Sequence, residues 1–221
     1  MGPEAGTTRP GRRSLLAWTL AAIGTGAAVG LVGRRGAAQG TEPIQVVTDL
    51  YAALQAVMRV GKTTPFQQRF AQLAPAIDRD FDLAVILQNS VGLRWASLDE
   101  PARQTLAALF RDFTIASYTA NFDSDSGEKL VVLPQTRPAQ ADVIVGSSLV
   151  PAHGDAVRID YLVRRSAPGW RIVDVLLDGS ISRVAVQRSD FRSLLAGGSP
   201  APLIESLKRK LSELSGGAMR P

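Results

Sequence analysis

The sequence predicts an α+β fold, with helices packed on a strongly twisted antiparallel sheet of about four strands. Three observations carry this. Apolar residues recur at helical spacing as far as about Phe122. Four short runs rich in Val and Ile follow between Lys129 and Leu177, separated by Pro and Gly turns. Helical patterning then returns from Ser180. Runs this closely spaced leave no room for crossover helices, so the strands must join as hairpins. Helices, then a meander, then helices is the order of an α+β domain. Neither an internal repeat nor a long linker divides it.

Each element has its own signal. From Ile44 to Val60, Val46, Val47, Leu50, Tyr51, Leu54, Val57 and Met58 fall on one helical stripe, and Gly61 ends it. Phe66 to Leu73 reads as a short helix after Pro65, and Phe81 to Gln88 as another. Gly92-Leu93-Arg94-Trp95 is a connection. Ser97-Leu98-Asp99-Glu100 has the form of a capping box, with Pro101 in the tolerated first turn. The helix that follows carries Leu106, Leu109, Phe110, Phe113, Ile115 and Tyr118. The strands are read as Lys129 to Leu133, Ala141 to Val150, Val157 to Arg164 and Trp170 to Leu177. Ser180 to Leu195 and Pro202 to Leu214 close the chain as helices.

The first 38 residues read as an export signal. Arg9, Arg12 and Arg13 form a basic start, Leu15 to Gly33 is apolar but diluted by glycine, and Gly36-Ala37-Ala38 offers a small-residue cleavage site. Arg12-Arg13-Ser14-Leu15-Leu16 resembles a twin-arginine motif. The expectation is cleavage near Ala38, leaving residues 39–221 as a single domain with a flexible C-terminal tail. A retained membrane anchor is the alternative, since about 20 apolar residues span a bilayer.

Removing that leader changes the charge argument. The whole chain carries a formal +5, and residues 1–38 hold five Arg and one Glu, so the remainder is close to neutral at +1. The basic excess therefore argues for no nucleic-acid partner. Lys208-Arg209-Lys210 reads as a solvated helix face. With no cysteine, an exported protein must rely on its core, and about 180 residues suffice for one.

Catalytic equipment is not visible. The one histidine, His153, sits between Pro151 and Gly154 in a hairpin loop, a poor place for a triad base or a metal ligand. Gly179-Ser180-Ile181-Ser182 lacks the second glycine of a nucleophile elbow. Asp123-Ser124-Asp125-Ser126-Gly127 looks like the start of a calcium loop, but the later ligands do not follow. No catalytic residue, metal or cofactor is expected. Asp174, which interrupts an apolar strand, is either exposed or a paired buried carboxylate.

The most informative stretch is Trp170 to Leu195, WRIVDVLLDGSISRVAVQRSDFRSLL. By simple alternation Trp170, Ile172 and Leu176 point one way, and Val173, Val175 and Leu177 the other. A strand apolar on both faces must be covered on both. This stretch joins TPFQQRFAQLAPAIDRDFD (residues 64–82), Val91-Gly92-Leu93-Arg94-Trp95 and Ser117-Tyr118-Thr119-Ala120-Asn121-Phe122. Together they resemble the periplasmic phospholipid-binding proteins of the Mla type, also called toluene-tolerance substrate-binding proteins, and among them the hopanoid-associated branch. The resemblance runs from about Pro43 to Leu211.

It implies a periplasmic lipid carrier of a Gram-negative bacterium, shuttling phospholipid or a hopanoid-related lipid between inner and outer membranes. The implied partners are an inner-membrane ABC transporter complex with an MCE-domain subunit and an outer-membrane acceptor complex. In such a carrier, helices over a twisted sheet would leave an apolar cavity. The lining candidates are Trp95, Phe110, Phe113, Tyr118 and Phe122 from the helices, and Tyr161, Val163, Val173 and Val175 from the sheet. Arg94 is the candidate for a lipid phosphate at the mouth. Two alternatives stay open: an enzyme or accessory factor of hopanoid metabolism using Asp174 and Asp178, and a structural protein with a filled core.

Overall fold

The structure is a computed structural model that describes residues 42–167 and 169–219; the leader and its cleavage site lie outside the described residues. Four helices come first: α1 (Pro43–Val60), α2 (Phe66–Asp80), α3 (Leu83–Val91) and α4 (Glu100–Asn121), with a short 3-10 helix over Gly92–Ser97 between α3 and α4. The strands β1 (Lys129–Ala139), β2 (Asp142–Val150), β3 (Val157–Ser166), β4 (Gly169–Leu177) and β5 (Ile181–Ser182) follow. Helices α5 (Arg183–Leu194) and α6 (Ala201–Leu214) end the chain. The α+β expectation holds, and the sheet is antiparallel throughout in the order β1-β2-β3-β4-β5.

The fifth strand was not anticipated. It is only two residues long and exists because Asp178 and Gly179, both at positive φ (51° and 71°), make a tight turn that folds Ile181 back onto Leu177. A Cβ on Gly179 would also stand 2.7 Å from the Arg158 Nε, so that side chain would have to shift. β1 is longer than the pattern suggested. It runs past Pro134 and Pro138, with the register slipping between Val132 and Thr136. Two prolines are tolerated because β1 pairs with β2 alone, leaving its other side free of ladder bonds.

Two helix boundaries also differ. α2 does not stop near Leu73 but passes through Pro75 to Asp80. Phe81 is then extended and bridges to Ile172, and the Asp82 amide donates to the Ile172 carbonyl at 2.9 Å. The α2–α3 junction is thereby lashed to β4. Ser97 is not the cap of α4. Its hydroxyl donates to the Arg94 carbonyl at 2.8 Å, and Asp99 takes the cap by accepting from the Ala102 amide at 2.9 Å. The reason is local: the 3-10 helix consumes Ser97, so the extended residue that can receive the first free amides is Asp99.

One sheet face packs on the helices. Val145, Tyr161, Val163 and Ile172 join Leu50, Leu54, Ile77 and Leu106 in a continuous core. α1 touches β1 through β4, while α4 packs against α2, α3 and α6. The Tyr51 hydroxyl lies 2.5 Å from the Ser147 Oγ, tying α1 to the sheet centre. Strand alternation gives the opposite face a different chemistry: Asp160, fully buried, is held by Arg137 and Arg158, and Asp142 by Arg164 at 2.8 Å. The chain end is held as far as Met219, whose amide donates to Ser215 Oγ at 3.0 Å, while Gln67 donates to the Ala218 carbonyl at 2.7 Å.

Candidate functional site

A cavity of about 310 Å³ opens where α4, the α2–α3 junction, the outer half of the sheet and the start of α5 meet. Its helical wall comes from one stripe of α4, with Phe110, Phe113, Tyr118 and Phe122 as the large members. Its floor is Ile159, Tyr161, Val175 and Leu177 of β3 and β4. Phe81, Leu83 and Ile86 close one end because the Phe81–Ile172 bridge brings them there. The rings are mutually braced: Tyr118 stacks on Phe122 (6.0 Å, 12°) and leans on Phe81 (5.5 Å, 58°), and Phe110 meets Phe113 at 6.3 Å. The polar lining residues include the exposed Asn121 and Arg183 and the half-buried Gln187. Such an apolar interior with a polar rim suits a ligand with a greasy body and a hydrophilic end.

Six of the nine lining candidates meet around this cavity: Phe110, Phe113, Tyr118, Phe122, Tyr161 and Val175. Three do not. Val163, with no exposed surface, is sealed in the core beneath the sheet. Val173 is the extra residue of a bulge, since Val163 pairs with Ile172 but Leu162 with Asp174. The bulge breaks the alternation on which Val173 and Val175 were assigned to one face. Trp95 lies on the 3-10 helix, with the Arg103 guanidinium 5.8 Å over its ring, and borders a separate surface groove. Arg94 is exposed beside it and does not reach the cavity.

The cation that does line the cavity is Arg183, the first residue of α5. Sequence reasoning passed over it, together with Val184 and Gln187. The available signal was their spacing, one and four residues on from Arg183, directly after an Asp-Gly turn. Asp174 proves to be buried and hydrogen-bonded. It accepts from the Ser182 hydroxyl (2.5 Å) and from the amides of Val175 (2.8 Å) and Val184 (3.1 Å), fixing the start of α5 against β4. Asp178 is exposed in the turn, so the two carboxylates proposed for acid–base work do not face one concave site. Among the described residues no group of three or more His, Cys, Asp or Glu side chains is placed to hold a metal.

All three tyrosines of the chain gather here: Tyr51 and Tyr161 meet edge to face at 5.9 Å, and Tyr118 lines the cavity. Burial pushes each phenol up, above the ordinary value near 10, and for Tyr161 the neighbouring Tyr118 and Tyr51 add to the rise. A raised folded-state pKa means that this contribution to stability is complete below pH 10 and is lost as pH climbs through the folded values. Absorbance at 295 nm is therefore expected to show no early tyrosinate on alkaline titration. The signal should rise together with loss of helical circular dichroism. A phenol titrating near pH 10 in the folded protein would contradict the packing described.

Comparison with known proteins places this geometry. A family model described as MlaC protein matches residues 46–209. No curated protein matches the chain. Among solved structures, the chain is similar to the phospholipid-binding protein from Ralstonia solanacearum in complex with a phospholipid. The two share 21% sequence identity over 80% of this chain and 98% of that one, with a TM-score of 0.66. At that identity the likeness speaks for the fold alone. No helix among the described residues is long and apolar enough to cross a membrane.

Proposed function

The chain belongs to the MlaC family, and on that premise we propose that it is a periplasmic carrier which hides the acyl chains of a phospholipid in the cavity between α4 and the sheet. The observation that carries the reading is the cavity itself: about 310 Å³ walled by aromatic and aliphatic side chains, where a filled core would leave no such space. About ten methylenes sheltered there at ~0.8 kcal/mol each give about 8 kcal/mol. That is the scale of micromolar affinity before the cost of ordering the chains. The head group stays at the rim, where Arg183 supplies a cation for its phosphate. The lining side chains named above, including Phe110, Phe113, Tyr118, Phe122, Tyr161 and Val175, are the proposed lipid contacts.

The leader's basic start and small-residue site support export with cleavage near Ala38, and the family supports loading and unloading at an inner-membrane ABC complex with an MCE-domain subunit and exchange with an outer-membrane acceptor. Phospholipid is favoured over a hopanoid-related lipid, because the similar protein from Ralstonia solanacearum is in complex with a phospholipid.

The test is extraction. Mature protein purified from its native membrane background is expected to release two-chain phospholipid in near-stoichiometric amount, read by mass spectrometry. Repeated recovery of folded, lipid-free protein would sink the reading, and a polycyclic lipid in its place would redirect it to hopanoids.

A further inference from the structure

A second concavity, about 1110 Å³, lies between the 3-10 helix and α5, bordered by Leu93, Arg94, Trp95, Arg188 and Arg192. Its chemistry differs from that of the lipid cavity. Three arginines converge on it, and no Asp or Glu lines it. Among the described residues neither Arg94 nor Arg192 has an ion-pair partner, and the Arg188 Nε donates at 2.7 Å to a neutral acceptor, the Asn89 carbonyl. The excess is local, because the chain beyond the leader is balanced to within one charge. Beside these cations Leu93, the second residue of the 3-10 helix, is 99% exposed.

A single exposed leucine is ordinary. One left almost fully exposed on a short helix, followed by an arginine and then Trp95, matches what enters the boundary of a lipid layer: an apolar tip just below the head groups and guanidinium groups at the phosphates. The groove also adjoins the cavity through α5, where Arg183, Val184 and Gln187 face the cavity and Arg188 and Arg192 the groove.

We infer that this groove docks the protein on the surface of an anionic phospholipid bilayer, with Leu93 inserted and Arg94, Arg188 and Arg192 on the lipid phosphates. The inference rests on the carrier reading, to which it adds the bilayer surface on which the carrier rests beside its membrane partners. A second copy of this chain is a poor occupant, because a two-fold contact would oppose the same three cations.

Vesicles decide the matter. Mature protein should cosediment with phosphatidylcholine vesicles containing phosphatidylglycerol, bind phosphatidylcholine alone far less, and release as salt is raised. Each arginine near such a surface strengthens binding about fivefold, so Arg94→Ser with Arg192→Ser should weaken it about thirtyfold. Leu93→Ser should weaken it about tenfold. These residues are exposed and the first two lack ion pairs, so circular dichroism and cavity lipid content should stay those of the unmodified protein. Unchanged affinity in the double variant, or equal binding to charged and uncharged vesicles, overturns the inference. So does failure of the unmodified protein to bind either vesicle, which would leave an acidic protein face as the occupant. Charge-dependent docking by a protein that yields no lipid on extraction would uphold the docking surface and discard the carrier reading alone.

Discussion

Val175→Trp is expected to strip the protein of most of its lipid while leaving it folded. Val175 is half-buried and lines the cavity floor, so an indole there can grow into open space instead of into packed side chains. It would displace about three methylenes of a bound chain, worth about 2.4 kcal/mol, or roughly a fiftyfold loss of affinity. Val163→Trp is the control. Val163 has no exposed surface and does not line the cavity, so the same substitution over-packs the core and costs about 1–3 kcal/mol or more. Extracted lipid per mole of protein, beside the thermal midpoint, separates the two. A Val175→Trp protein carrying a full load would mean that hydrocarbon lies elsewhere.

Phe110→Ala is expected to be the most costly single truncation in the cavity wall. Phe110 is 1% exposed, meets Phe191 of α5 edge to face at 6.4 Å and Phe113 at 6.3 Å, and so joins α4 to α5 behind the cavity. Truncating a buried phenylalanine costs about 3–5 kcal/mol, which for a domain of this size lowers the thermal midpoint by about 10 °C. Its place beside the cavity adds a distinguishing feature. The void it leaves is continuous with space that hydrocarbon can occupy, so added phospholipid should recover more of the midpoint in the variant than in the unmodified protein. Phe113, half-buried with the Lys210 ammonium 5.9 Å over its ring, should cost less when truncated. Equal losses at Phe110 and Phe113, without recovery on lipid addition, would refute this assignment of the wall.

The helical wall was legible because an α-helix keeps its period: once α4 was recognised, Phe110, Phe113, Tyr118 and Phe122 were fixed to adjoining stripes of one cylinder. The strands were legible in existence but less so in facing. Period two survives only where the ladder is unbroken, and the bulge at Val173 reversed the parity that simple counting assigned. Pro75 and Pro134 misled in the other direction. Each reads as a stop, yet α2 tolerates the lost amide and β1 has no strand on the side away from β2 to miss it. Phe81, Leu83 and Ile86 were hidden for another reason. They reach the cavity through a single bridge between residues 91 positions apart, and no local pattern encodes a contact of that separation. Arg183 was passed over, because the turn that aims it toward the cavity closes only when β5 folds back on β4.

On the proposed reading of a carrier that crosses an aqueous gap, the borders of the sheet have a consequence. An open five-stranded sheet offers two rims at which another copy could add a strand and begin a fibril. Here one rim is β1, interrupted by Pro134 and Pro138 and bearing Lys129 and Arg137, and the other is two residues of β5 that pass directly into a helix. Neither offers a long run of free amides to copy, so cross-β propagation finds no template at these two rims even when the cavity is empty.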